Sequence, residues 1–234
     1  MSNKAPTSEI QVQEIPAPSL TTIPTNPTPT ILRSYRITST SIWTRKFKIK
    51  IQPSNTAIYT LKFTSSIPGF TMVLSTTTPT IAAAAKVSLF ADTTTLALGD
   101  PSSKPDVSQK IEMIINSAWK HNSYDLSLQL PPPHDCPNIP PPLEMQWKGT
   151  NSVSGFMKKM DRGMHHKLVE TRTNRLLARY VHNSWSMDVA GVVEVLGVPE
   201  GVADGEWWDL FVLMAALAVA EKTLKVVEMM VQSL

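Results

Sequence analysis

The side chains able to do covalent or metal chemistry are few and badly spaced for it. The sequence holds 5 histidines, at 121, 134, 165, 166 and 182, and 1 cysteine, Cys136. A hydrolytic centre needs a nucleophile, a base and a group that orients the base. No Gly-x-Ser-x-Gly elbow, phosphate-binding glycine loop or His-Glu-x-x-His run supplies them. His134-Asp135-Cys136 is the densest run of metal-ligating types, but its neighbours are prolines and no second Cys or His pair stands at zinc-site spacing. A lone Cys136 would need a lowered pKa and a partner base, and its surroundings imply neither. His165 and His166 are adjacent, and adjacent residues of a strand point to opposite faces, so they read as part of a basic surface and not as a ligand pair. The chain therefore reads as non-enzymatic, with no metal and no cofactor.

Charge is the more informative chemistry. The net charge is only +3, yet no acid occurs between Glu14 and Asp92, a stretch that carries Arg33, Arg36, Arg45, Lys46, Lys48, Lys50, Lys62 and Lys86. Lys46, Lys48 and Lys50 alternate with Phe47, Ile49 and Ile51, so they share the polar face of one strand, and Lys62 on the next strand stands near them if the hairpin register matches. Four like charges repel unless solvated or neutralised by an anion. A second basic group joins Lys158, Lys159, Arg162, His165, His166 and Lys167, with Arg172, Arg175 and Arg179 on the hairpin beyond. Arginines at a turn are free to engage phosphates in two-pronged hydrogen bonds. Anionic phospholipid headgroups fit both groups. Nucleic acid fits the charge alone, because no DNA- or RNA-binding motif accompanies it, and is not expected.

These side chains must be held by strands. Trp43, Phe47, Ile49 and Ile51 alternate with Thr44, Lys46, Lys48 and Lys50; Pro53-Ser54-Asn55-Thr56 makes a turn; Tyr59, Leu61 and Phe63 resume the pattern. Similar runs follow at 70–74, 81–89, 111–115, 124–128, 143–147, 167–171, 176–180 and 189–196. Roughly ten strands of ordinary length imply an all-β sandwich or barrel. Two loops interrupt them. Pro131 to Pro142 is a stiff, polyproline-like connector that could also recruit an SH3- or WW-type protein. Gly149 to Gly163 carries Lys158, Lys159 and Arg162, and long loops of this kind often bind ligands.

The remainder of the chain frames this unit. Residues 1–31 are rich in Pro and Thr without an apolar period, and read as a disordered tail ahead of one domain, 32–234. The N-terminus lacks the apolar run of a signal peptide, no Asn-x-Ser/Thr acceptor occurs, and one cysteine allows no internal disulfide, so a cytoplasmic location is expected. At the other end, a helix is expected over 203–233, capped by Asp204 with Glu206 and Asp209 in its first turns. Every residue from Leu210 to Ala220 is apolar, so that helix must be enclosed on all sides. The run is about half the roughly twenty residues that a bilayer requires, which favours a core helix over a membrane anchor. Its core residues are Trp207, Trp208, Leu210, Phe211, Leu213, Met214 and Leu217, and small inward residues such as Ala83, Ala85 and Ala178 leave room for it.

Many short strands followed by one wholly apolar C-terminal helix resemble the tubby C-terminal fold, which includes scramblase-like and LURP-one-related members and uncharacterised fungal proteins. TMVLSTTTPTIAAAAKVSLF is similar to paired strands of the fungal group, LEMQWKG to its Trp-containing strand, KLVETRTNRLLARYV to its hairpin, and EWWDLFVLMAALAVAEK to its closing helix. The resemblance implies a closed antiparallel β-barrel around a central apolar helix. It further implies a monomeric module, peripheral to a membrane, that binds phosphoinositides through basic side chains. The alternative is a structural or protein-interaction barrel that uses the proline-rich loop 131–142.

Overall fold

The computed structural model describes residues 30–41, 45–64, 67, 69–88, 91, 93–102, 109–115, 123–129, 141–150, 165–183, 189–202 and 204–232. The tail to residue 29, Trp43, His121, the proline-rich run 131–140 with His134 and Cys136, and the segment 151–164 with Lys158, Lys159 and Arg162 lie outside these residues.

The strands are β1 (Arg33–Ser41), β2 (Lys46–Gln52), β3 (Thr56–Phe63), β4 (Met72–Thr76), β5 (Ile81–Lys86) and β6 (Thr93–Leu98). They continue as β7 (Gln109–Ile115), β8 (Ser123–Leu128), β9 (Leu143–Gly149), β10 (His166–Glu170), β11 (Leu176–His182) and β12 (Val189–Val195). Each pairs antiparallel with its neighbour in the chain, and β12 returns to β1, so the barrel closes without a free edge. Alternation explains most of the wall: Ile49, Leu61, Leu74, Met113, Leu126 and Val193 point inward and are buried. Two strands were illegible in the sequence. β1 offers only Tyr35 and Ile37 as large inward apolar residues, and β6 opens Thr-Thr-Thr with a buried Thr94.

The helix α1 (Gly205–Gln232) fills the lumen. It starts where expected: Asp204 Oδ1 accepts from the backbone amides of Glu206 (2.8 Å) and Trp207 (3.2 Å), satisfying donors that a first turn leaves open. From Phe211 to Thr223 every residue is buried. The helix touches β5 and β6 on one side and β11 and β12 on the other, walls that lie far apart in the closed strand order. Ala83 and Ala85 on β5 and Ala178 on β11 are fully buried along these walls, so the small residues stand where the helix approaches. Trp208 is buried and donates from Nε1 to the Gly197 carbonyl at 2.9 Å. Trp207 and Leu210, expected in the core, are only half-buried because the first turns of α1 still lie at the barrel's rim.

One further expectation is overturned. His165 and His166 do not form a basic surface: they are 5% and 0% exposed. His166 faces inward, its Nε2 3.3 Å from Thr223 Oγ1 on α1 and its ring edge-on to Tyr124. Burial, with smaller effects from His165 and His182, pushes its pKa down to about 4, so it is neutral near pH 7. Among the described residues no helix is long and apolar enough to cross a membrane.

Candidate anion-binding site

Lys48 and Lys50 of β2 form one side of an open cleft on the outer wall. Lys48 and Lys50 point outward, as alternation requires, and the register sets Arg36 of β1 directly opposite Lys50 and Thr38 opposite Lys48. Arg36, Lys48 and Lys50, with Ser39, Thr40 and Asn55, line a cleft of about 480 Å³. Among the described residues no acid lines it. Thr38 Oγ1 donates to the Lys48 carbonyl at 3.2 Å and Thr40 Oγ1 to the Lys46 carbonyl at 2.8 Å, so side chains of β1 brace the lysine-bearing strand. Asn55, at φ 57, makes the left-handed bend that closes the hairpin beside the cleft, with its amide donating to the Ile51 carbonyl at 2.8 Å. Arg36, Lys48 and Lys50 form no ion pair among the described residues. Three cations from two adjacent strands, on one open cleft, have the donors and charge that would suit a multivalent oxyanion.

Lys46 and Lys62 do meet, directly opposite each other on β2 and β3, but outside this cleft. Lys167 on β10 stands between Lys148 on β9 and Arg179 on β11. Arg179 is neutralised by Glu194. Arg172 and Arg175 belong to the turn at the other end of β10, away from Lys167, and Arg175 Nη2 donates to the Val198 carbonyl at 3.0 Å. The described members of the second basic group therefore do not gather in one place: Lys167 and Arg172 with Arg175 lie at opposite ends of β10. Arg36 is the cleft residue that apolar periodicity does not reveal, because β1 carries only Tyr35 and Ile37 as large inward apolar residues. The alternation of Arg36 with Tyr35 and Ile37 is the signal that would have placed it.

Two ion pairs made by buried carboxylates complete the electrostatics. Asp209 on α1 contacts Arg33 Nε at 2.5 Å and accepts from the Tyr35 hydroxyl; burial still outweighs both partners and raises its pKa. Glu221, 3% exposed, pairs with Arg45 at 2.6 Å, whose guanidinium lies 4.3 Å from the centre of the Phe63 ring. Beside that pair a small cavity of about 70 Å³ opens between Phe47, Phe63 and Leu224. Among the described residues no group of three or more His, Cys, Asp or Glu side chains could hold a metal.

These features define a closed β-barrel filled by its own helix, with a basic cleft on the outer wall. No family model matches the chain, and a search of curated proteins finds no relative. Among solved structures the chain is similar to an X-ray structure of a protein from Arabidopsis thaliana, with 10% identity, a TM-score of 0.44, and coverage of 79% of this chain and 90% of that one.

Proposed function

We propose that the protein is a non-enzymatic binding module that takes an anionic phospholipid headgroup, of the phosphoinositide kind, in the outer cleft between β1 and β2. One observation carries this reading: Arg36, Lys48 and Lys50 converge on one cleft that no acid lines among the described residues. Separate lysines on a solvated strand face would contribute little, but convergent cations gain from a multivalent anion what they lose by mutual repulsion. Near an anionic membrane each such cation is worth about 1 kcal/mol. Among the described residues the lumen is filled by α1.

The test is flotation with phosphatidylcholine vesicles with and without a phosphoinositide, beside titration with soluble inositol hexakisphosphate. The protein should float only with the anionic lipid, release as salt rises, and be displaced by the soluble phosphate. Replacing Arg36, Lys48 and Lys50 together with Gln should weaken binding by about 3 kcal/mol, more than a hundredfold. Unchanged binding by that variant removes the cleft from the proposal.

A further inference from the structure

Among the described residues the barrel's charge is sorted along its axis. At the mouth where α1 leaves, Lys46, Lys62, Lys86, Lys148 and Lys167 each occupy one of the two strand positions nearest the rim, and none of these described rim positions holds an acid. At the opposite mouth the corresponding positions hold Glu144, Glu170 and Glu194 against Arg33 and Lys110, Asp204 and Glu206 follow at the start of α1, and Arg172 and Arg175 lie in the turn between β10 and β11. The one described buried acid of the basic mouth, Glu221, is already neutralised by Arg45.

Apolar groups accompany the lysines. Ile114, in the last two positions of β7, is 52% exposed, and Met229 on the emerging turns of α1 is 43% exposed. The small cavity between Phe47, Phe63 and Leu224 opens at the same rim. A ring of cations around exposed apolar side chains matches the interface of an anionic bilayer, where headgroups meet the charges and the acyl boundary takes the apolar groups. A nucleic acid would satisfy the lysines and leave Ile114 and Met229 in water.

We infer that the molecule docks end-on, with the mouth where α1 leaves against an anionic bilayer and the opposite mouth turned away. Attraction at the lysine-lined end, unmatched by the mixed charges of the other, orients the barrel before contact, over a distance set by the screening length of about 8–10 Å in physiological salt. This orientation rests on the anion-binding reading above, but it uses different residues: Lys62, Lys86, Lys148 and Lys167 lie outside the cleft of Arg36, Lys48 and Lys50.

The experiment floats the full chain on phosphatidylcholine vesicles containing phosphatidylserine and compares three variants. Replacing Lys62, Lys86, Lys148 and Lys167 with Gln should weaken binding by more than a hundredfold, at about fivefold for each lysine. Replacing Glu144 and Glu170 with Gln should leave it unchanged. The Arg36, Lys48 and Lys50 variant should keep its flotation on phosphatidylserine while losing its response to inositol hexakisphosphate. If the fourfold variant unfolds, as circular dichroism would reveal, the exposed single change Lys86→Gln still predicts a fivefold loss. Equal flotation of the mouth variant and the parent overturns end-on docking and leaves the cleft intact. Loss only in the cleft variant does the same. A parent that never floats yet binds inositol hexakisphosphate also sinks the docking and spares the cleft, whereas one that binds neither sinks both. A parent that ignores vesicles but binds RNA through the same lysines overturns the bilayer as partner.

Discussion

The hydroxyl of Tyr35, on the first strand, donates to the carboxylate of Asp209, on the helix 174 residues later. Arg33, two positions from Tyr35, contacts the same carboxylate, so one strand ties the start of α1 to the wall at the point where β12 closes the barrel on β1. Replacing Asp209 with Ala leaves the buried Tyr35 hydroxyl without its acceptor, which should cost about 1–3 kcal/mol in chemical denaturation. Tyr35→Phe should cost less, because Arg33 still faces the carboxylate. Equal stability of both variants and the parent would mean that the tie is not energetic.

The same tyrosine predicts alkaline sensitivity. Burial, the hydrogen bond to Asp209 and the negative charge of that residue raise the Tyr35 pKa above its ordinary value of 10.0, and burial also raises Tyr59 and Tyr124. A raised folded-state pKa means that the unfolded chain loses its protons first. Stability is therefore complete below about pH 10 and falls as pH rises beyond it. Tyr35→Phe should flatten that fall, measured as denaturation midpoints against pH. A slope identical to the parent's would contradict the assignment.

His166 works in the opposite direction. Its folded-state pKa of about 4 lies below the ordinary 6.5, so the unfolded chain takes up a proton that the folded barrel refuses. Stability should fall as pH drops from about 6.5 to about 4, by up to about 3 kcal/mol at roughly 1.4 per unit. His166→Gln should remove most of this acid slope, and nuclear magnetic resonance of the imidazole should show it neutral at pH 6. An imidazole that titrates near 6.5 in the folded protein would refute the burial argument.

Ending the chain at Trp208 should prevent folding even though every strand remains. Phe211, Val212, Leu213, Met214, Leu217 and Val219 are buried in the lumen, and at about 1.5 kcal/mol each they contribute roughly 9 kcal/mol, comparable with a whole domain's 5–15. Leu213→Asp, which sets an unpaired carboxylate in that interior, should be severely destabilising by thermal unfolding. A truncated chain with cooperative unfolding and an unchanged β spectrum would place the helix outside.

Gly191 on β12 is a steric constraint of another kind. A Cβ there would come within 2.7 Å of Tyr180 Cε2 and 2.8 Å of the Val181 carbonyl. The ring could turn aside, but the carbonyl belongs to the paired strand β11 and cannot yield without disturbing the ladder. Gly191→Ala should therefore destabilise by about 1–3 kcal/mol, as overpacking does. A neutral result in chemical denaturation would show that the wall is softer than this contact implies.

Local pattern was enough for the helix and most of the wall. The unbroken apolar run from Leu210 to Ala220 demands enclosure whatever surrounds it, Asp204 caps a helix through its own neighbours, and alternation of Lys46, Lys48 and Lys50 with Phe47, Ile49 and Ile51 settles which side faces water. Pattern failed where a strand carried few apolar residues, as in β1 and β6, because their burial comes from position in a closed sheet and not from their own composition. The candidate site depended on that failure. Arg36 joins Lys48 and Lys50 only because β1 pairs with β2 in one register, while Arg172 and Arg175, close to Lys167 in sequence, turn at the opposite mouth. Two adjacent histidines looked like surface charge, and closure of the barrel over α1 made them interior instead. Periodicity reports which face of an element is dry; register and closure decide which charges become neighbours, because those pairings join residues that no local window contains.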